Sequence, residues 1–118
     1  MSRAIDKLPR EGNLLGGALG TPKRVAIVSL LARRAAESPD DRFTQTMITN
    51  ELIGSGKKLV NSDTSSVFRL LESYNLLERS ADPAVFGFGI VEGRAQDNFW
   101  RAAQLMIRAT EAIVVERP

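Results

Sequence analysis

Between Asn61 and Arg79 the chain reads Asn-Ser-Asp-Thr-Ser-Ser-Val-Phe-Arg-Leu-Leu-Glu-Ser-Tyr-Asn-Leu-Leu-Glu-Arg. Val67, Leu70, Leu71 and Tyr74 follow the i, i+3, i+4, i+7 spacing that gathers side chains on one buried helical face. That leaves Asn61, Ser62, Thr64, Ser65, Ser66 and Arg69 facing outwards. A helical turn of short hydroxyl and amide side chains lets a backbone approach a ligand closely. One guanidinium a turn further on can pair with a base edge or a phosphate. Lys57 and Lys58, just ahead of the stretch, carry the charge that would meet phosphate. Ser62 or Asp63 is the expected helix cap, because a side-chain oxygen there can accept from an amide two or three residues on.

Other chemistries find little support. The 118 residues include no cysteine and no histidine, which removes disulfides, thiolate nucleophiles and imidazole acid–base catalysis. Asp40-Asp41 is an adjacent carboxylate pair, but turn formation beside Pro39 explains it. The hydroxyls at 62 to 66 have no base in their helical pattern, so nucleophilic catalysis is a poor reading. Gly12-Asn13-Leu14-Leu15-Gly16-Gly17 lacks the Lys-Ser/Thr ending of a phosphate loop. Gly87-Phe88-Gly89 is too short and too apolar for one. The expectation is a protein that is not an enzyme and uses no cofactor and no metal.

The length fits a single domain with one core. Sixteen basic residues against fourteen acidic ones give a net charge of +2. The excess gathers at the start, where Arg3, Lys7, Arg10, Lys23 and Arg24 outnumber Asp6 and Glu11. A basic segment beside a folded module adds non-specific attraction to phosphate. There is neither an apolar run of membrane-spanning length nor a secretory hydrophobic core, so the expected location is the cytoplasm.

The surrounding elements read as follows. Residues 1–20, with Gly12, Gly16, Gly17 and Gly20, form a basic arm. Thr21-Pro22 starts a helix, Thr as cap and Pro at the first helical position. It runs to about Glu37 with Ile27, Val28, Leu31 and Ala35 buried, and Ser38-Pro39 ends it. A second helix covers roughly Gln45 to Ile53, capped by Thr44 or Thr46, with Met47 or Ile48, Leu52 and Ile53 packing. Gly54-Ser55-Gly56 closes it. Leu59 and Val60 then plug the angle before the third helix. Leu77-Glu78-Arg79-Ser80 begins a strand, Asp82-Pro83 marks a turn, and Val85 to Val91 reads as the return strand. From a cap at Asp97 or Asn98, a last helix reaches about Glu116. Phe99, Met106 and Ile113 recur in it at intervals of seven, as do Trp100, Ile107 and Val114. With Ala103 and Thr110 they form a broad apolar face. Part of that face should pack on the first helix and the rest should meet a second subunit.

This layout resembles the winged helix-turn-helix DNA-binding superfamily. The shared pattern is a polar turn, Val67, Arg69, two spaced leucines and a Leu76-Leu77 exit into a strand. The resemblance covers residues 22 to 92. It implies an α+β, mainly helical fold with a two- or three-stranded wing sheet, in which Arg42-Phe43-Thr44 is the third, brief strand and Phe43 points inwards. The boundaries are then an arm at 1–20, the winged domain at 21–92 and a dimerisation helix at 93–118. The layout is similar to PadR-like and MarR-like repressors, replication terminator proteins and the centromere-binding proteins of plasmid partition. The implied activity is double-stranded DNA binding by a homodimer, most simply as a transcriptional repressor. A partition or nucleoid-type DNA-coating protein and a winged-helix protein-interaction module are the alternatives. The implied DNA-binding residues are Lys57, Lys58, Asn61, Ser62, Thr64, Ser65, Ser66 and Arg69. The wing tip holds an acid and no base, which argues against minor-groove contact there.

Overall fold

The computed structural model describes residues 20–80, 82, 84 and 86–116, with the side chains of 110–116 excepted. Among these residues it is mainly helical, with a small antiparallel sheet: α1 (Pro22–Glu37), α2 (Gln45–Gly54), α3 (Asn61–Ser73), β1 (Leu77–Arg79), β2 (Phe88–Ile90) and α4 (Arg94–Glu116). The expected arm, except its last residue, lies outside the described residues.

Local chemistry fixes most of the helix ends. Thr21 caps α1, its hydroxyl accepting from the Arg24 amide at 3.2 Å, with Pro22 at the first position where no amide is needed. Thr44 caps α2 in the same way, accepting from the Met47 amide at 3.1 Å. The α3 start differs from expectation. Val60 is the cap residue and has no side-chain acceptor. The Asp63 carboxylate instead reaches back and accepts from the Val60 amide at 2.9 Å, which is half of a capping box. The helix therefore begins before Ser62 and Asp63, the two expected caps. At its other end Asn75 takes φ +62° and the Leu76 amide donates to the Leu71 carbonyl at 2.9 Å, a left-handed closure that asparagine tolerates.

The core gathers where α1, α2, α3, the sheet and α4 meet. Phe68 is fully buried between Phe43 and Phe88, its ring edge-on to both, with centroids 5.8 and 4.9 Å away. Phe43 and Phe88 are themselves joined by paired backbone hydrogen bonds of 3.0 and 2.7 Å, a single-residue bridge beside β2 in the place of the expected third strand; the sheet itself has two strands. β1 and β2 pair antiparallel with Leu77 opposite Ile90 and Arg79 opposite Phe88. On the α1 side Ile27, Val28, Leu30, Leu31 and Ala32 are buried, while Ala35 is half-buried. Val67 and Leu71 are buried as expected; Leu70 and Tyr74 are half-buried at the margin.

Several side chains lie elsewhere than expected. Of Met47 and Ile48 it is Ile48 that joins Leu52 in the core, but Ile53, turned about 100° from Leu52 around α2, is exposed. Leu59 enters the core and Val60, the next residue of an extended segment, points away. β2 starts at Phe88, so Phe86 stands exposed outside the strand. Arg42 takes the position beside it, donating to the Phe86 and Gly87 carbonyls, each at 2.9 Å. α4 starts at Arg94, ahead of the two expected caps, after Gly93 at φ +156°.

Gly87 is the tightest point of the sheet. Its φ is +73°, and a Cβ would fall onto the Phe43 carbonyl. Gly87→Ala is expected to lose about 2–4 kcal/mol, from the left-handed backbone plus the backbone clash. Gly54→Ala, with open space around the added methyl, should be neutral or slightly stabilising. Urea denaturation of both variants checks the pair, and equal stabilities would refute the assignment.

Candidate nucleic-acid interface

α3 divides along its length into an inner and an outer side. The inner side is Thr64, Val67, Phe68 and Leu71. The outer side presents Asn61, Ser62 and Arg69 to solvent, with Ser65 and Ser66 half-buried at its border. Lys57 and Lys58 are exposed in the preceding loop. Apart from Thr64, the expected binding residues thus lie along the accessible side of one helix or in the loop that leads into it.

Thr64 is the exception. It is completely buried, and its hydroxyl lies 2.6 Å from that of Thr49 on α2. It cannot touch a ligand. In the sequence it reads as one more small polar residue in a polar turn. Only the approach of α2 makes it an inner position. Thr49 also donates to the Gln45 carbonyl at 3.0 Å. Its single proton is then engaged, so Thr64 supplies the proton of the shared bond. The outcome is a two-step relay, Thr64 to Thr49 to the backbone of α2, that ties the two helices together inside the core.

Two residues absent from the expected binding set join the interface from α1. In the sequence Lys23 and Arg24 read only as part of the basic start of the chain. The first turn of α1 lies against the first turn of α3, where Arg24 donates to the Ser66 hydroxyl at 3.0 Å and Lys23 Nζ lies 3.6 Å from the Asp63 carboxylate. Between them is a basin of about 640 Å³ lined by Lys23, Arg24, Lys58, Ser62, Asp63 and Ser66, with Thr21 and Pro22 behind. The only sequence signal for this is the charge excess before residue 25. Three cations from two separate segments, with two hydroxyls, make a surface that attracts a polyanion and can donate hydrogen bonds to it.

The sheet carries a different balance. Arg79 is held by Glu72 at 3.4 Å and lies over the Phe88 ring at 4.9 Å. Arg42 is bound to backbone carbonyls, and Asp40, Glu78 and Glu92 line the adjoining groove of about 260 Å³. The positive surface is therefore at the start of α3 and α1, and the sheet does not extend it.

The expected subunit contacts are distributed unevenly. Phe99, Trp100, Ala103 and Ile107 are buried within the chain itself, Phe99 and Trp100 edge-to-face at 5.0 Å. They pack towards α1, the one element against which α4 makes extensive contact among the described residues. These four complete a core and are closed to a partner. The reason is that α1 offers a long apolar side which no other helix covers. Met106 is 46% exposed, and the side chains of Thr110, Ile113 and Val114 lie outside the described residues.

No helix among the described residues is long and apolar enough to cross a membrane, and no cluster of acidic side chains there could hold a metal ion. Compared with family models, characterised proteins and solved structures, the chain matches none.

The hydroxyl relay yields a signed prediction. Thr49→Val strands the buried Thr64 proton and should cost about 1–3 kcal/mol; Thr64→Val leaves only an acceptor unmet and should cost less. The double variant, apolar on both sides, should be more stable than the sum of the two losses implies. Thermal denaturation of the four proteins measures the coupling, and strict additivity would mean that the relay does not exist.

Proposed function

We propose that the chain binds double-stranded DNA, with residues 22–92 acting as a winged helix-turn-helix and α3 entering the major groove. The observation that carries this reading is the shared basin, where Lys23 and Arg24 of α1 and Lys58 of the loop flank the polar first turn of α3. Lysines and arginine placed this way take phosphates and fix the register of the duplex. Asn61, Ser62, Ser65 and Arg69 are then left to reach base edges. Binding to DNA fits these groups better than a role as a protein-interaction module, because the accessible side of α3 is polar apart from Val60 at its cap, while its surroundings are cationic. Transcriptional repression is the simplest use of such a contact.

One α3 covers only a few base pairs, so the proposed active form is a homodimer that reads two half-sites. The pairing surface is the outer side of α4, where Leu105 is 66% exposed, and not the side buried on α1. Sedimentation tests this directly. Leu105→Asp should shift the protein towards monomer and weaken DNA binding without unfolding it. A wild-type monomer at micromolar concentration with full affinity would refute the dimer.

Fluorescence anisotropy on selected genomic duplexes tests the interface. Arg69→Ala should weaken specific binding by about 1–3 kcal/mol if it pairs with guanine, and lower the preference at that base pair. Neutralising Lys57 and Lys58 together should flatten the plot of log affinity against log salt by roughly one unit for each phosphate that is no longer neutralised. An unchanged affinity and an unchanged slope would remove these residues from the interface.

A further inference from the structure

We infer that Asp63 limits the affinity of the proposed interface for DNA of any sequence, by repelling phosphate from the basin. The inference rests on the DNA-binding reading and concerns what limits that binding. Asp63 is the one acid among the described residues lining the basin, set among Lys23, Arg24 and Lys58. Both of its contacts fall on the same carboxylate oxygen: Oδ2 accepts from the Val60 amide at 2.9 Å and faces Lys23 Nζ at 3.6 Å.

Folding gains only modestly from the negative charge at this position, through the helix dipole of α3. The Val60 amide needs an acceptor, which an uncharged side-chain oxygen also provides. Lys23 is more than half exposed, so its ion pair with Asp63 contributes little to stability. For a polyanion the charge matters more. A backbone phosphate entering the basin must draw Lys23 away from Asp63 and then lie beside a carboxylate. Like charges in contact suppress binding to every duplex alike. A duplex that satisfies Ser62, Ser65 and Arg69 at its base edges recovers the loss, and one that does not is released. Asp63 thus lowers affinity by the same factor for all sequences, and at a given protein concentration only the better-matched sites stay occupied.

The test is anisotropy of the full chain on a mixed-sequence duplex at low salt, comparing wild type, Asp63→Asn and Asp97→Asn. Asp97 lies in the first turn of α4 and is exposed, so it undergoes the same charge change away from the basin. Asp63→Asn should bind the mixed duplex about tenfold tighter and steepen the salt dependence by about one unit, as Lys23 becomes free to pair with phosphate. Asp97→Asn should stay within about twofold of wild type. Asp63→Gln, whose side-chain oxygen can also accept from the Val60 amide, should change affinity in the same direction and guards against a folding artefact in the first variant. Equal or weaker binding by both Asp63 variants overturns the inference, and so does an equal gain in Asp97→Asn. If neither wild type nor any variant binds duplex DNA, the interface reading itself fails and the inference with it.

Discussion

Everything outside the helices depends on where Phe68 goes. Its ring fills the angle between α3 and the sheet, edge-on to Phe43 on one side and to Phe88 on the other. Those two residues are already joined through their backbones, so a single side chain from α3 sets the helix against the two-stranded sheet and the Phe43 bridge beside it. Burying rings of this size drives association strongly, and the edge-to-face geometry gives it a preferred orientation. Because α3 is held from its inner side at Phe68, its outer side has a fixed direction. That direction defines the candidate interface.

A second set of constraints is polar. The inner surface of α3 carries Thr64 as well as hydrocarbon, and the hydroxyl pair with Thr49 fixes α2 in a way that apolar contacts alone would not. A buried hydroxyl must find a partner or incur a desolvation penalty, so the pair favours one register of the two helices. α1 is tied in by Arg34, which reaches Glu51 at 3.2 Å while its guanidinium covers the Phe43 ring. With α1 so placed, its first turn lies beside that of α3 and Lys23 and Arg24 arrive at the basin. The cations of the site are thus positioned by core contacts more than by their own sequence neighbourhood.

α4 has two sides of different character. Its inner side, from Phe99 through Ile107, closes the core over α1. Leu105 then remains on the outside, at a helical position that the inner packing cannot reach. A single apolar residue so exposed is ordinary, and it gains weight only under the proposal that two copies of α3 act together.

By itself the sequence determined which elements form and where α1 and α2 end. Thr21-Pro22, Thr44 and Gly54-Ser55-Gly56 mark helix ends through short-range hydrogen bonding and backbone freedom, which depend on nearest neighbours alone. The apolar period in α3 and the turn signal at Asp82-Pro83 are local in the same sense. Tertiary structure decided the rest: that Thr64 is inside and Ser65 at the border, that Ile53 and Val60 face out, and that Phe99 and Trp100 belong to the chain's own core. It also brought Lys23 and Arg24 to Ser66 and Asp63 across some forty residues of sequence. Periodicity gives the stripe of a helix that is apolar, but the width of the stripe that becomes buried depends on the shape of whatever packs against it. A charge is likewise assigned to a site by distance in space, and that distance is set by packing among residues far apart in the chain.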